Sequence, residues 1–213
     1  MPDLLNRTFF TFLALFPILN PPAMAPVFLN LTSGVSDQER NRLARLIGTH
    51  TFTLLTALLF LGGWALKLLG ISIPVISVAG GLLLFHSAWH MLNKDPRMSD
   101  TEREEIRSSM RDKAFFPLTL PVTAGPGAIA VTLSLVPSGN VFEPPVLVQY
   151  LAVTGGIALA AASVFIFYRF AAAVIRRMGT TGAATVSQLS AFVLLAIGVQ
   201  IIWNGLHALI GTL

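Results

Sequence analysis

Six apolar stretches take up almost the whole of this 213-residue chain, at about 8–31, 46–69, 73–92, 115–136, 145–168 and 184–209. Each has roughly the twenty residues needed to cross a bilayer as a helix. Charged residues make up 11% of the chain, against roughly 25% in a soluble domain. Mean hydropathy is +0.73. Such a chain cannot cover its surface with polar groups, so its outside must face lipid. The expected fold is therefore an all-α membrane protein in one polytopic domain, 1–213, with no separate soluble domain. The N-terminus, Met1 to Asn6, lacks the basic cluster of a secretory signal, so the first stretch reads as a span and not a cleaved leader.

A net charge of +4 and a sequence pI near 10.1 would raise the question of nucleic acid in a soluble protein. Here the basic residues lie in short connections. Twelve of the fourteen fall in the first, third and fifth, and only Arg7 and Lys67 lie on the other side. The positive-inside rule makes the odd connections cytoplasmic and both termini periplasmic, with an even number of spans. Two capping boxes, Ser36 to Glu39 and Ser99 to Glu102, predict helix starts. The second begins a short surface helix near 100–112 in the long polar loop 93–113. Gly70 is expected to end the second span. Trp64, Trp89 and Trp203 sit toward segment ends, as interfacial anchors do.

The chain repeats itself. Pro17 to Leu31 aligns with Pro121 to Leu135, pairing Pro17 with Pro121, Pro22 with Pro126 and Ala23 with Gly127. Ala79 to Leu92 aligns with Ala196 to Leu209, pairing Gly81 with Gly198 and His90 with His207. The first and third spans thus resemble the fourth and sixth. Three spans per half is an odd number, so repeat one (about 1–93) and repeat two (about 114–213) would cross in opposite directions. This is the inverted-topology plan of many secondary transporters. A relic duplication without a mechanistic role is the alternative.

The first span carries Pro17, Pro21, Pro22 and Pro26, and the fourth Pro117, Pro121 and Pro126 with Gly125 and Gly127. An interior proline removes a backbone donor and clashes with the preceding turn, at about 3 kcal/mol or more. Both helices are therefore expected to be broken at equivalent depths, which is the best sequence pointer to a transporter's binding site. Asn20 before Pro21 fits an N-cap with proline at the first helical position, and Gly125-Pro126-Gly127 repeats the arrangement with bare backbone. Half-helix starts expose N–H groups that suit a carboxylate, and opposing carbonyl ends suit an ammonium or a cation. An amino-acid zwitterion has both charges. Candidate binding residues are Asn20, Pro21, Pro22, Ala23, Thr123, Ala124, Gly125, Pro126 and Gly127. Gln200 and Asn204 join them if they face the site, or else make interhelical hydrogen bonds. Proline-kinked packing helices are the bland alternative for both breaks.

All ten acidic residues lie in loops or near termini. If transport is coupled to protons, His86 is the deepest side-chain candidate, and sodium is the other coupling ion to consider. His90 and His207 are better explained as interfacial. With no cysteine, no metal cluster and no nucleophile–base pairing, neither a cofactor, a metal nor an enzymatic activity is expected.

Leu15 to Ala23, Glu39 to Arg42, Gly70 to Pro74, Ala79 to Phe85 and Pro117 to Ala130 together resemble the MarC family of bacterial inner-membrane proteins. The resemblance runs from the first span to the sixth. It implies a place among the LysE-type transporters, six spans in inverted repeats, periplasmic termini in the inner membrane, and for some members transport of small neutral amino acids. A departure lies at Ala23, where members often have glycine. Transport of alanine, glycine or a similar substrate by alternating access is the function this implies. A passive channel and a non-transporting membrane partner or assembly protein are the alternatives.

Overall fold

A computed structural model describes residues 2–32, 34–93, 119–120, 123–137, 139 and 142–211. Its longer elements are helices, with no strand among the described residues. They are α1 (Pro2–Leu19), α2 (Pro21–Leu31), α3 (Asp37–Leu68), α4 (Ile73–Asn93), α5 (Pro126–Ser134), α6 (Pro144–Arg169) and α7 (Ala171–Ile210), the last kinked at Gly179, whose backbone is not helical (φ 68°, ψ 174°). Four stretches are long and apolar enough to cross a membrane: Asp37–Leu68, Ile73–Asn93, Pro144–Arg169 and Thr181–Ile210. The pair α1–α2, bent by 43° at the break between them, brings the number to five if the two helices form one span. The expected fourth span is described only from 119 on, and in part. Pro117, Pro121 and the helix expected near 100–112 lie outside the described residues.

The helix ends follow local chemistry. Ser36 Oγ accepts the Glu39 N–H at 3.2 Å, the Ser36 half of the expected box. At the other end of α3, Gly70 takes φ 67°. Its N–H reaches Lys67 O, and the Ile71 N–H reaches Leu66 O. That is a Schellman ending, which the glycine permits by entering the left-handed region without a Cβ penalty. Arg40 closes the α2–α3 connection. It donates to the Thr32 hydroxyl and to the carbonyls of Thr32 and Val35, and it pairs with Asp37 at 2.6 Å. The cation therefore sits at the carbonyl end of α2, where the helix dipole favours it. Within the spans, Thr49, Thr53, Ser77, Ser87 and Thr132 return their hydroxyls to carbonyls four residues earlier. No hydroxyl among these needs water to be satisfied.

Small residues set the packing. On α6, Gly156 leaves the space that Thr11 fills; a Cβ there would come within 2.6 Å of Thr8 O. With the contacts Arg7–Gln149, Thr8–Ala152 and Phe16–Phe167, α1 runs parallel to α6. Phe60 stacks on Tyr150 while Gly48 meets Phe165, so α3 runs antiparallel to α6. Helices α4 and α7 form an intimate antiparallel pair. A Cβ on Gly81 would meet Gly198 O at 3.0 Å and Ile202 N at 2.9 Å. A Cβ on Gly198 would meet Gly81 O at 3.2 Å and Phe85 N at 2.9 Å. The broken elements interleave with these pairs: α2 packs on α6 and α7, and α5 packs on α3 and α4.

Candidate functional site

The first break centres on Asn20. Pro21 disfavours the right-handed helical region for the residue before it. Asn20 instead takes φ 46°, ψ 51°, a left-handed conformation that asparagine tolerates better than most side chains. The chain stays partly bonded through the bend, with the Asn20 N–H to Phe16 O at 2.9 Å and the Met24 N–H to Asn20 O at 3.0 Å. Pro21 and Pro22 have no N–H to offer the carbonyls of Pro17 and Ile18, which opens the helix on that side.

One expectation is corrected here. Asn20 occupies the N-cap position with proline at N1, but its side chain makes no capping bond. The left-handed backbone departs from the extended conformation of a capping residue, and Pro22 removes the N2 donor, one of the two a cap would satisfy. The first backbone donor of α2 is therefore the Ala23 N–H. The Asn20 side chain is nonetheless buried, 4% exposed, and its amide nitrogen has no hydrogen-bond partner.

The second break is built differently. The Ala124 N–H reaches back five residues to Thr119 O at 2.8 Å, a widened turn. Gly125 follows in extended conformation (φ −75°, ψ 178°), and Pro126 opens α5. Gly125 O takes up the N–H groups of Ala128 and Ile129. The first backbone donor of α5 is then the Gly127 N–H, the repeat counterpart of Ala23. Gly127 lies against Leu84 of α4, where a Cβ would come within 2.9 Å of the leucine methyl. The counterpart Ala23 carries its methyl fully buried.

Both breaks border one buried apolar cluster that includes Leu15, Leu19, Ala124 and Ala128. Tyr168, near the end of α6, ties them together. It is 1% exposed, its ring stacks on Phe28 of α2 at 4.6 Å and 10°, and its hydroxyl shares a 2.9 Å hydrogen bond with Thr123. Sequence reasoning missed this residue. Its signal was available: one of only two tyrosines, placed in an apolar span where a phenol must find a partner.

Other candidates lie elsewhere. Gln200 and Asn204 are on the exposed side of α7 and bond to each other at 2.8 Å. His86 stacks on His90 along the exposed face of α4. None of the four is buried. Among the described residues, no group of three or more metal-ligating side chains could hold a metal ion.

The comparisons with known proteins match nearly the whole length of the chain. UPF0056 membrane protein YvbG of Bacillus subtilis is 32% identical over 201 residues, 93% of each chain. A UPF0056 membrane protein of Archaeoglobus fulgidus is 34% identical over 204 residues, 95% of this chain and 93% of its own. UPF0056 inner membrane protein MarC of Salmonella typhimurium is 30% identical over 223 aligned positions, 100% of this chain and 99% of its own. No solved structure matches at a significant level. The family profile described as "MarC family integral membrane protein" matches residues 5–210, and the chain belongs to that family.

Proposed function

We propose that this protein is a secondary transporter of small neutral amino acids, such as alanine or glycine, working by alternating access in the inner membrane. The observation that carries the reading is the Asn20 amide nitrogen, buried and unpartnered at a proline-built break. An unsatisfied buried donor costs about 1–3 kcal/mol. A passing substrate that supplies an acceptor repays that cost, whereas a purely structural kink has no use for it. The Ala23 and Gly127 N–H groups add one backbone donor at each break, suited to a carboxylate.

The packing supports an inverted repeat of six spans. Gly81 and Gly198 correspond at an offset of 117, as do Phe85 and Ile202. Each glycine meets the other's carbonyl and the residue four positions after it. Such reciprocity in antiparallel helices is what a two-fold axis in the membrane plane produces. The pairing of α2 with α6 and α7 mirrors that of α5 with α3 and α4. Six crossings with periplasmic termini also fit the parallel α1–α6 pair and the antiparallel α3–α6 and α4–α7 pairs. On this reading the protein is a carrier and not a catalyst, and coupling to protons or sodium is a separate question of energetics.

The test is counterflow in proteoliposomes loaded with unlabelled alanine, with labelled alanine outside. Transient accumulation that Asn20→Leu and Gly125→Val each abolish, in protein that still inserts and purifies as a sharp species, is the expected result. Gly125 already has an extended backbone that valine adopts. Unchanged counterflow in both variants would sink the site. Fast, unsaturable equilibration without accumulation would indicate a passive pore instead.

A further inference from the structure

A second site lies at the N-terminal end of α1, away from the breaks. A cleft of about 610 Å³ opens there between α1, the end of α5 and the first half of α6. Arg7 stands on one wall and donates from Nη1 to Gln149 Oε1 at 3.1 Å, which holds the guanidinium by one nitrogen. Among the described residues no carboxylate neutralises it, the one ion pair being Arg40–Asp37. Thr11 lines the same cleft although only 1% exposed. The opposite wall is formed by Ser134 and Leu135, where α5 ends. Their carbonyls have no following helical turn to bond with, and they carry the partial negative charge of the helix C-terminus.

The cleft therefore presents a fixed cation on one wall, a helix-end negative pole on the other and the nearly buried Thr11 in its lining. We infer that it is a peripheral binding site for a small α-amino-acid zwitterion, its carboxylate on Arg7 and its ammonium at the C-terminal end of α5. The substrate class rests on the transport reading above, but the site does not share a residue with it. The cleft has room for a small amino acid together with water, and it opens on the side that the charge pattern makes periplasmic. It would receive substrate before, or release it after, passage between the breaks.

Equilibrium binding of labelled alanine to the purified full chain tests this, run beside counterflow. Asn20→Leu, which removes the central site, is expected to keep one alanine site per chain. Adding Arg7→Gln should abolish that site, and Arg7→Lys should keep part of it. Alanine methyl ester, which lacks the carboxylate, should not compete. In the otherwise wild-type chain Arg7→Gln should raise the KM of counterflow about tenfold and leave the maximal rate unchanged, the loss expected for one charge-assisted contact made in binding alone. Arg7 is exposed, so the variant is expected to fold, which size-exclusion chromatography checks. Alanine binding to Asn20→Leu that Arg7→Gln leaves intact, or an unchanged KM, would overturn the peripheral site and leave the central reading standing. Binding that Arg7→Gln removes, in a chain without counterflow, would keep the site and sink the transport reading. No binding to any variant overturns the site, and an arginine held only by lipid phosphate would give that result.

Discussion

The hydroxyl of Tyr168 lies 2.9 Å from that of Thr123, while its ring lies flat on Phe28. One side chain from the fifth apolar stretch thus touches the half-helix that follows the first break and the segment that precedes the second. Any movement of one break relative to the other must slide the ring, break the hydrogen bond, or carry Tyr168 along.

Two substitutions separate those functions. Tyr168→Phe keeps the stack and removes the hydrogen bond, and is expected to cost about 1 kcal/mol. Tyr168→Ala also empties a fully packed position and is expected to cost about 3–5 kcal/mol. Thermal unfolding in detergent measures both. If the two variants lower Tm equally, the stacking contact contributes nothing to stability.

Asn20 predicts a difference between two small residues. Glycine accepts φ 46° freely and alanine does not, so Asn20→Gly should be more stable than Asn20→Ala by about 1–2 kcal/mol. Both remove the amide, so both should abolish counterflow. Equal stabilities would mean that the backbone at residue 20 relaxes out of the left-handed region.

The α4–α7 contact predicts non-additivity. Gly81→Ala and Gly198→Ala each force apart the same two backbones, because the added Cβ would come within about 3 Å of the facing backbone. Each should cost about 1–3 kcal/mol by overpacking. The double variant should cost distinctly less than their sum, because one separation of the helices relieves both clashes. Full additivity in a double-mutant cycle would show that the two sites adjust independently.

Topology can be read chemically, because the chain has no cysteine. Single cysteines at Asp3, Phe142 and Gly211 should react with a membrane-impermeant maleimide added from the periplasmic side of oriented vesicles. Cysteines at Gln38 and Arg177 should react only from the other side. Labelling of positions 3 and 177 from the same side would exclude the six-span arrangement.

The spans were legible in the sequence because lipid imposes a single rule on long segments. The stretches 73–92 and 145–168 lie within one residue of the spans Ile73–Asn93 and Pro144–Arg169, whereas 46–69 ends one residue from the end of Asp37–Leu68 but starts nine residues later, past the polar start of α3. Ser36 and Gly70 were legible because a cap and a left-handed ending are local. The break at Asn20 was legible for the same reason, since proline acts on its immediate neighbours. Its failure to cap was not, because that depends on which way the backbone escapes from Pro21. Tyr168 and Thr123 lie 45 residues apart in sequence, and no local pattern announces such a pairing. Gln200 and Asn204 left two readings open because α7 has no polar stripe to say which side faces inward; the structure puts both on the exposed side, bonded to each other.

The interleaving of α2 with α6 and α7 has a consequence for biogenesis. Helix α2 leaves the ribosome early, with prolines that deprive its neighbours of partners, yet the surfaces that bury it are among the last to be made. Until those arrive, the bent first span must be held at the translocon, or by an insertase, with Asn20 and the carbonyls of Pro17 and Ile18 facing lipid. The first three spans expressed alone should therefore be retained and degraded, and coexpression of the last three should rescue them.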